Sequence, residues 1–359
     1  MRAFVYLCWL CWLATACSGG NGKSPDIDAP PSGDGSGGGD AATDAPPSGV
    51  LPTGTVINVT DLATCPRGAP PGARCKQITV TGCTGLDAEP LDAVVAVRDG
   101  IGTTIKGTVV HFIGGGGEGF QGANSTAYEQ AGFRGVYVSW TADWEQTQAL
   151  GILAGGCRPA TVLRWVFDEP TLHAGSRTAA FCGEGFSGGS GQLGYALAHY
   201  GLGDVLDYVN ELSGPPFARI DLGCDGDAPA TAPVCSTDAT MKLPDKVGPW
   251  ENIVAPLTCG STGVPTDELA RWRNDSIAVG AVNYPQTEVQ FYSCTNNPTA
   301  VTAQGKLYFD LISAAAGGDP ARASYHCYTA GDGCQGEGLG TGLRDAQQAL
   351  ITGCIPHHQ

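Results

Sequence analysis

The segment FCGEGFSGGSGQLGYALAHYGLGD, residues 181–204, joins a short apolar run to a helical pattern through a turn that is rich in glycine. The apolar run predicts a buried strand, and Leu193 and Leu197 have the spacing of one helix face. Between the two elements, residues 185–189 read G-x-S-x-G and place Ser187 at the centre of the turn. The segment therefore predicts a strand, a tight turn and a helix, with the alternative that the glycines only loosen a surface turn.

A serine in this context is a candidate nucleophile. Glycines two positions before and two positions after Ser187 leave room for a strained backbone that presents the hydroxyl at the end of a strand. The start of the following helix favours negative charge close to that hydroxyl. The pattern alone is weak evidence because the chain contains 54 glycines, and the preceding strand and following helix give it its weight.

A second glycine-rich segment lies earlier in the chain. In GTVVHFIGGGGEGF, residues 107–120, an apolar strand runs directly into four glycines. Free backbone N–H groups at such a point stabilise negative charge that develops on a substrate oxygen. The alternative is a flexible surface loop.

Strands alternate with helices along the chain, which predicts an α/β fold with a mostly parallel sheet and helices on both faces. We predict strands at residues 77–81, 93–98, 107–112, 135–139, 179–182, 206–211, 288–292 and 323–326. We predict helices at residues 126–131, 159–167, 189–199, 307–315 and 342–352. Residues 221–281, rich in Pro, Gly, Asp and Cys, interrupt this rhythm after the sixth strand and predict a cap-like insertion.

The order of these elements resembles that of the α/β-hydrolase family over residues 77–354, with eight strands in sequence. The resemblance implies a serine esterase-like enzyme that acts by acyl transfer. Ser187 would be the nucleophile, and the N–H of Gly188 would be one donor of the oxyanion hole. Gly114 or Gly115 would provide the other donor.

The resemblance also implies a histidine after the last strand and before the last helix. His326 ends the run RASYH and precedes the helical pattern GLRDAQQALITGC, so we predict it as the general base. The other five histidines precede the serine, end a helix or lie in the C-terminal tail: His111, His173, His199, His357 and His358.

The acid of the triad has three candidates. The family usually places it after the seventh strand, where this chain has Asn296 and Asn297, which carry no charge and would orient the histidine only weakly. Asp221, after the sixth strand, is our choice, although it could be a turn residue. Asp275 is the third candidate, with helix capping as its alternative role.

The N-terminal residues predict export. Residues 1–17 form a short apolar signal segment that ends in Ala-Thr-Ala-Cys, similar to a bacterial lipobox, so we predict that Cys17 is lipidated. Plain secretion is the alternative. Residues 18–52 are rich in Gly, Ser, Pro and Asp and predict a disordered tether ahead of a catalytic domain at residues 53–359. We expect an outer-membrane or cell-surface lipoprotein that contacts the membrane only through this anchor.

Cysteine content and charge narrow the function further. Of fifteen cysteines, three lie in the signal segment, and the remaining twelve predict disulfides rather than free thiols, with Cys224–Cys235 and Cys327–Cys334 as the simplest pairs. A net charge of −16 without a basic run argues against a nucleic-acid partner. We predict a small or polymeric ester as substrate, and no metal or other cofactor. The alternative is a binding lipoprotein on a hydrolase fold that has lost its chemistry.

Overall fold

The computed structural model describes residues 49–358, except residues 87–88, 103, 123–124, 148–149, 225–234, 236–265, 298–300 and 337. The predicted signal segment with Cys17 and most of the predicted tether lie outside the described residues. Most of the predicted insertion, residues 221–281, also lies outside them.

A nine-stranded sheet forms the centre of the domain, with the strand order β1-β2-β3-β5-β4-β6-β7-β8-β9. Its strands are β1 Thr55–Leu62, β2 Arg74–Thr81, β3 Leu91–Arg98, β4 Gly107–Phe112, β5 Phe133–Trp140, β6 Ala180–Phe186, β7 Tyr208–Leu212, β8 Glu288–Cys294 and β9 Ala323–Tyr328. The pairs from β1 to β3 and the pair β3–β5 are antiparallel, and every pair from β5 through β4 to β9 is parallel. The sheet is therefore mostly parallel, as predicted.

All eight predicted strands form, in the predicted order. The apolar run GTVVHF becomes β4, in which every residue is buried because the strand lies between neighbours and under helices on both faces. The structure has a ninth strand, β1, that the sequence does not predict. It is an edge strand whose residues are mostly exposed, so its sequence lacks the apolar pattern that marks a buried strand.

Helices cover both faces of the sheet. The described helices are α1 Ala127–Gln130, α2 Ile152–Asp168, α3 Gly188–Tyr200, α4 Ile220–Cys224, α5 Thr266–Asn274, α6 Val301–Ala315 and α7 Thr341–Gly353. Val109 faces the cluster that contains Tyr128 of α1 and Leu350 of α7. Its neighbour Val110 faces the larger core, to which α2, α3 and α6 contribute. Successive residues of one strand thus bury their side chains in two separate layers.

Five disulfides connect the described part of the chain: Cys65–Cys75, Cys83–Cys157, Cys182–Cys354, Cys235–Cys327 and Cys294–Cys334. The two pairs expected from sequence proximity, Cys224–Cys235 and Cys327–Cys334, are wrong. Cys327 and Cys294 point to opposite faces of the sheet, because Cys294 stands opposite Tyr328, the residue after Cys327. Cys334 lies on the α7 face, where it packs beside Tyr292, and it meets Cys294 there.

No described helix is both long enough and apolar enough to cross a bilayer. Five disulfides in one domain indicate an oxidising compartment, outside the cell or in a periplasm.

Candidate active site

Ser187 occupies the turn between β6 and α3 with backbone angles of φ 52° and ψ −116°. Residues with a side chain rarely adopt a positive φ because Cβ then crowds the backbone, so this conformation needs support from its surroundings. The Ser187 N–H donates to the carbonyl of Leu212 at 2.8 Å, and the Ser187 carbonyl accepts from the N–H of Ser190 at 2.9 Å. These hydrogen bonds fix the turn between the neighbouring strand and the helix.

The glycines around Ser187 are required by close approach of the backbone. A Cβ atom added to Gly185 would lie 2.3 Å from the carbonyl oxygen of Gly189. A Cβ atom added to Gly189 would lie 2.2 Å from the carbonyl oxygen of Phe112, at the end of β4. Any larger residue at either position would push α3 away from the sheet and so displace Ser187.

The second glycine-rich segment packs directly against this turn. A Cβ atom on Gly188 would lie 2.4 Å from the carbonyl oxygen of Gly115 and 2.9 Å from its nitrogen. A Cβ atom on Gly114 would lie 3.0 Å from Cβ of Ser187. The structure therefore brings Ser187, Gly114, Gly115 and Gly188 together at the carboxyl edge of the sheet.

Two tryptophans hold the glycine segment in place. The Trp140 N–H donates to the carbonyl of Gly117 at 3.0 Å, and the Trp144 N–H donates to that of Gly116 at 3.1 Å. The indole N–H of Trp144 donates to the carbonyl of Gly115 at 3.4 Å. The Trp140 indole lies against Gly117, where a Cβ atom would be 2.3 Å from the ring. Both tryptophans are buried, so they form a rigid wall behind the loop.

Trp140 also connects this wall to the helix that follows Ser187. Its Nε1–H donates to Oε1 of the buried Gln192 on α3 at 2.8 Å. Sequence reasoning missed Trp140, Trp144 and Gln192, because their role depends on the pairing of β5 with β4 and not on a local motif. The one available signal was a pair of tryptophans just after a predicted strand.

His326 lies inside β9, and its ring stacks on Tyr292 with centroids 4.6 Å apart. Its Nε2 lies 3.3 Å from Oε1 of Gln290. Burial lowers the pKa of His326, and the nearby carboxylate of Asp345 opposes that change. The sequence predicts that His326 ends the last strand, but β9 continues to Tyr328, so His326 lies inside the strand and its ring is on the α7 face of the sheet.

The strand register separates His326 from Ser187. Phe186, Leu212, Tyr292 and His326 stand opposite one another on the four neighbouring strands β6 to β9. Because neighbouring strands lie about 4.8 Å apart, about 14 Å separates the backbones of Phe186 and His326. Among the described residues, no hydrogen bond joins Ser187 to a histidine. The structure therefore does not bring the predicted nucleophile and base together.

Asp221 forms an ion pair within its own segment. Arg219 donates from Nε to Oδ1 at 2.8 Å and from a terminal nitrogen to Oδ2 at 2.5 Å, so the pair is bidentate and both carboxylate oxygens are hydrogen-bonded. The amide of Gln304 in turn holds the backbone of Arg219. The carboxylate predicted to orient His326 is thus directed at an arginine.

Asp275, the third acid candidate, lies toward the far end of α3 from Ser187. Asp275 is buried after α5, with its carboxylate against Gly151 at the start of α2. Its carbonyl accepts a hydrogen bond from Tyr195, which is eight residues beyond Ser187, or about 12 Å along α3. Asn296 is exposed and Asn297 is buried in the turn after β8.

Two further histidines are part of the core. His111 on β4 is fully buried, with Nδ1 3.3 Å from Oε1 of Glu184 and its ring stacked on Tyr137. His199 near the end of α3 has Nε2 3.0 Å from the carbonyl of Ser276, and burial lowers its pKa to about 4. Within the described residues, no three His, Cys, Asp or Glu side chains converge where a metal ion could bind.

Comparison with known proteins identifies the fold. The sequence matches no family model and no curated protein. Among solved structures, acetyl xylan esterase 1 from Thermoanaerobacterium sp. JW/SL YS485 is similar over 83% of this chain and 87% of its own, with 12% identity and a TM-score of 0.51. An esterase from Pyrobaculum calidifontis matches over 77% of this chain and 85% of its own, with 15% identity and a TM-score of 0.45. A thermostable esterase from Pseudomonas putida ECU1011 matches over 80% and 84%, with 14% identity and a TM-score of 0.45.

The domain has the α/β-hydrolase fold, as predicted. The sheet order from β2 to β9, with β4 and β5 exchanged, and the helices on both faces agree with the similarity to the acetyl xylan esterase. Because the identity is low, the similarity establishes the fold, and the chemistry has to be argued from the residues of this chain.

Proposed function

We propose that this protein is an exported serine hydrolase that cleaves carboxylic esters, with Ser187 as its nucleophile. The backbone of Ser187 carries the proposal. Glycine adopts φ 52° and ψ −116° with the least strain. This chain has glycine at positions 185 and 189, two residues to either side, but it has serine at the turn itself. A strained serine with its Cβ against the glycine segment is a feature that chemistry explains and packing alone does not.

In the proposed reaction, Oγ of Ser187 attacks the ester carbonyl and the serine proton passes to a base. The N–H groups of Gly188 and of Gly114 or Gly115 stabilise the negative charge on the carbonyl oxygen of the tetrahedral intermediate. The alcohol leaves with a proton, and an acyl-enzyme on Ser187 remains. Water then attacks this ester by the same steps and releases the carboxylic acid.

The base and the acid are the parts of this mechanism that rest on sequence order. His326 is the proposed base and Asp221 its proposed acid, as the resemblance implies. General-base catalysis by His326 requires its ring to leave Tyr292 and Gln290. It also requires the backbone of β9 to move toward Ser187, because a side-chain rotation cannot span the separation of the two strands. Substitution of His326 tests this requirement directly.

The way in which the protein is held at the cell surface is a second part of the proposal. We propose that Cys17 is lipidated and anchors the domain to the outer membrane or cell surface through the residues that follow it. Mass spectrometry of the mature N-terminus tests this: an acylated Cys17 supports the anchor, whereas an unmodified N-terminus at another residue contradicts it.

The central experiment measures the reactivity of Ser187. A fluorophosphonate probe should label the purified protein at Ser187, and a nitrophenyl acetate assay should show continuous release of nitrophenol. Ser187→Ala should abolish both, whereas Ser313→Ala, at a serine near the end of α6 and away from this turn, should leave both unchanged and is the control. A protein that neither reacts with the probe nor hydrolyses any ester contradicts the proposal.

The geometry of His326 and Asp221 favours a second candidate, a surface protein that binds a ligand at this fold without turnover. The separation of His326 from Ser187 and the Arg219–Asp221 pair are the observations behind it. This candidate gains support if folded protein fails to react with the probe yet binds ester ligands.

A further inference from the structure

A cavity of about 230 Å³ is lined by Gln121, Phe186, Gly338, Leu339 and Leu343. Phe186 directly precedes Ser187, and Gln121 lies at the far end of the loop that begins with the clustered glycines. The last three residues border the start of α7. The cavity therefore lies at the carboxyl edge of the sheet, between the turn of Ser187 and the first residues of α7.

The lining of this cavity is uncharged and mostly apolar, with Gln121 as the one polar side chain among these five residues. Leu339 is buried and packs with Leu212 and Tyr292, so it forms a fixed wall. Leu343 is 41% exposed and also lines the cavity, so its side chain stands between the cavity and solvent. An apolar side chain exposed at the rim of a concave apolar surface favours contact with an apolar group of a ligand.

The volume limits the size of that group. Cavities that hold a whole drug-sized ligand measure about 300–1,000 Å³, so this one takes a part of a ligand. An apolar cavity of about 150 Å³ in another protein is large enough for benzene. The space here fits a phenyl ring or a straight chain of about four to six carbons, but not a long acyl chain.

We propose that this cavity binds one small, uncharged, apolar group of the ester, on either the acyl or the alcohol side of the scissile bond. This inference rests on the proposed function of Ser187 and adds the class of substrate. The net charge of −16 agrees with a neutral substrate, because an acidic protein repels anionic esters.

Two series of esters identify the side that enters the cavity. In the first, nitrophenyl esters of acetate, butanoate, hexanoate and dodecanoate vary the acyl group. In the second, acetate esters of ethanol, hexanol, benzyl alcohol and dodecanol vary the alcohol, and all four are alkoxide leaving groups of similar reactivity. In one series, kcat/KM should rise to the four-to-six-carbon or benzyl member and fall at the twelve-carbon member.

A substitution at the rim tests the residues. Leu343→Trp fills the mouth of the cavity, so it should lower kcat/KM for the preferred ester relative to the two-carbon ester by about tenfold or more. Leu311→Trp is the matched control, since Leu311 is 39% exposed on α6 and does not line the cavity. If Leu343→Trp changes this ratio no more than the control does, the cavity assignment is overturned while ester hydrolysis stands.

A binding measurement tests the cavity without turnover. Saturation-transfer NMR with nitrophenyl butanoate on the Ser187→Ala protein should show contact that Leu343→Trp removes and Leu311→Trp preserves. If Ser187 proves unreactive but this contact is seen, the proposed function fails and the binding site stands. If Ser187→Ala shows no contact, or contact that Leu343→Trp leaves unchanged, the binding site is overturned.

Discussion

The indole N–H of Trp140 donates a hydrogen bond to Oε1 of Gln192 at 2.8 Å and so joins β5 to the helix that begins at Ser187. Because the same indole lies against Gly117 and the Trp140 N–H donates to the Gly117 carbonyl, this one residue links the glycine segment to α3. We infer that Trp140 sets the distance between the proposed oxyanion donors and Ser187.

Trp140→Phe should therefore lower kcat by about ten- to a hundredfold with little change in KM, since misplaced donors lose contacts made in the transition state. Steady-state kinetics and the rate of fluorophosphonate labelling measure this effect. Trp272→Phe is the control, because Trp272 is also buried but its indole N–H has no partner among the described residues. Equal effects of the two substitutions would show that Trp140 acts only through stability.

The conformation of Ser187 gives a prediction about stability. The Ser187→Gly protein should be more stable than the Ser187→Ala protein, because glycine adopts φ 52° without strain. Urea unfolding should show this as a difference of about 1–2 kcal/mol in the free energy of unfolding. At Ser313, inside α6, the order should reverse, since glycine destabilises a helix relative to alanine. Equal stability of the Ser187→Ala and Ser187→Gly proteins would contradict the strain at the turn.

The proposed base gives a prediction with a definite pH dependence. His326→Ala should lower kcat by about a hundred- to ten-thousandfold if His326 takes the proton of Ser187. Burial lowers the pKa of His326, so the neutral, active base should persist below pH 6.5, and kcat/KM should rise with pH and level off before neutrality. His173→Ala, at another buried histidine, is the control. If His326→Ala retains the rate, His326 is a packing residue on Tyr292 and the base is another group.

His199 predicts how stability depends on pH. Its imidazole is buried neutral, with a pKa of about 4 in the folded protein against about 6.5 in the unfolded chain. As pH falls, the unfolded chain binds the proton first, so the free energy of unfolding should decrease by about 3 kcal/mol between pH 6.5 and pH 4. His199→Gln removes this contribution and should flatten that part of the curve measured by urea unfolding. A variant with the wild-type slope would contradict the assignment.

Much of the sheet could be predicted from sequence because parallel strands buried on both faces require continuous apolar runs, as in β4. The turn at Ser187 could be predicted for a related reason: a strand, a tight turn and a helix leave a local signature. Strand β1 could not, since an exposed edge strand needs little apolar sequence.

In the predicted site, too, the features with a local sequence signal could be predicted and the others could not. The contact of Gly114 with Ser187 follows from two local motifs and the strand order. The positions of His326 and Asp221 depend on register and on a local arginine, which the order of elements along the chain does not determine. The disulfide pairs depend on which face of a strand each cysteine occupies, so proximity in sequence misassigned Cys327 and Cys334.

The Cys182–Cys354 disulfide closes β6, the last helix and everything between them into one covalent ring. A single proteolytic cut of the backbone anywhere between residues 183 and 353 opens this ring, but the disulfide still joins the two pieces, so no fragment is released. A protein exposed to foreign proteases can thus be nicked once within this half of its chain and still keep Ser187 attached to both pieces.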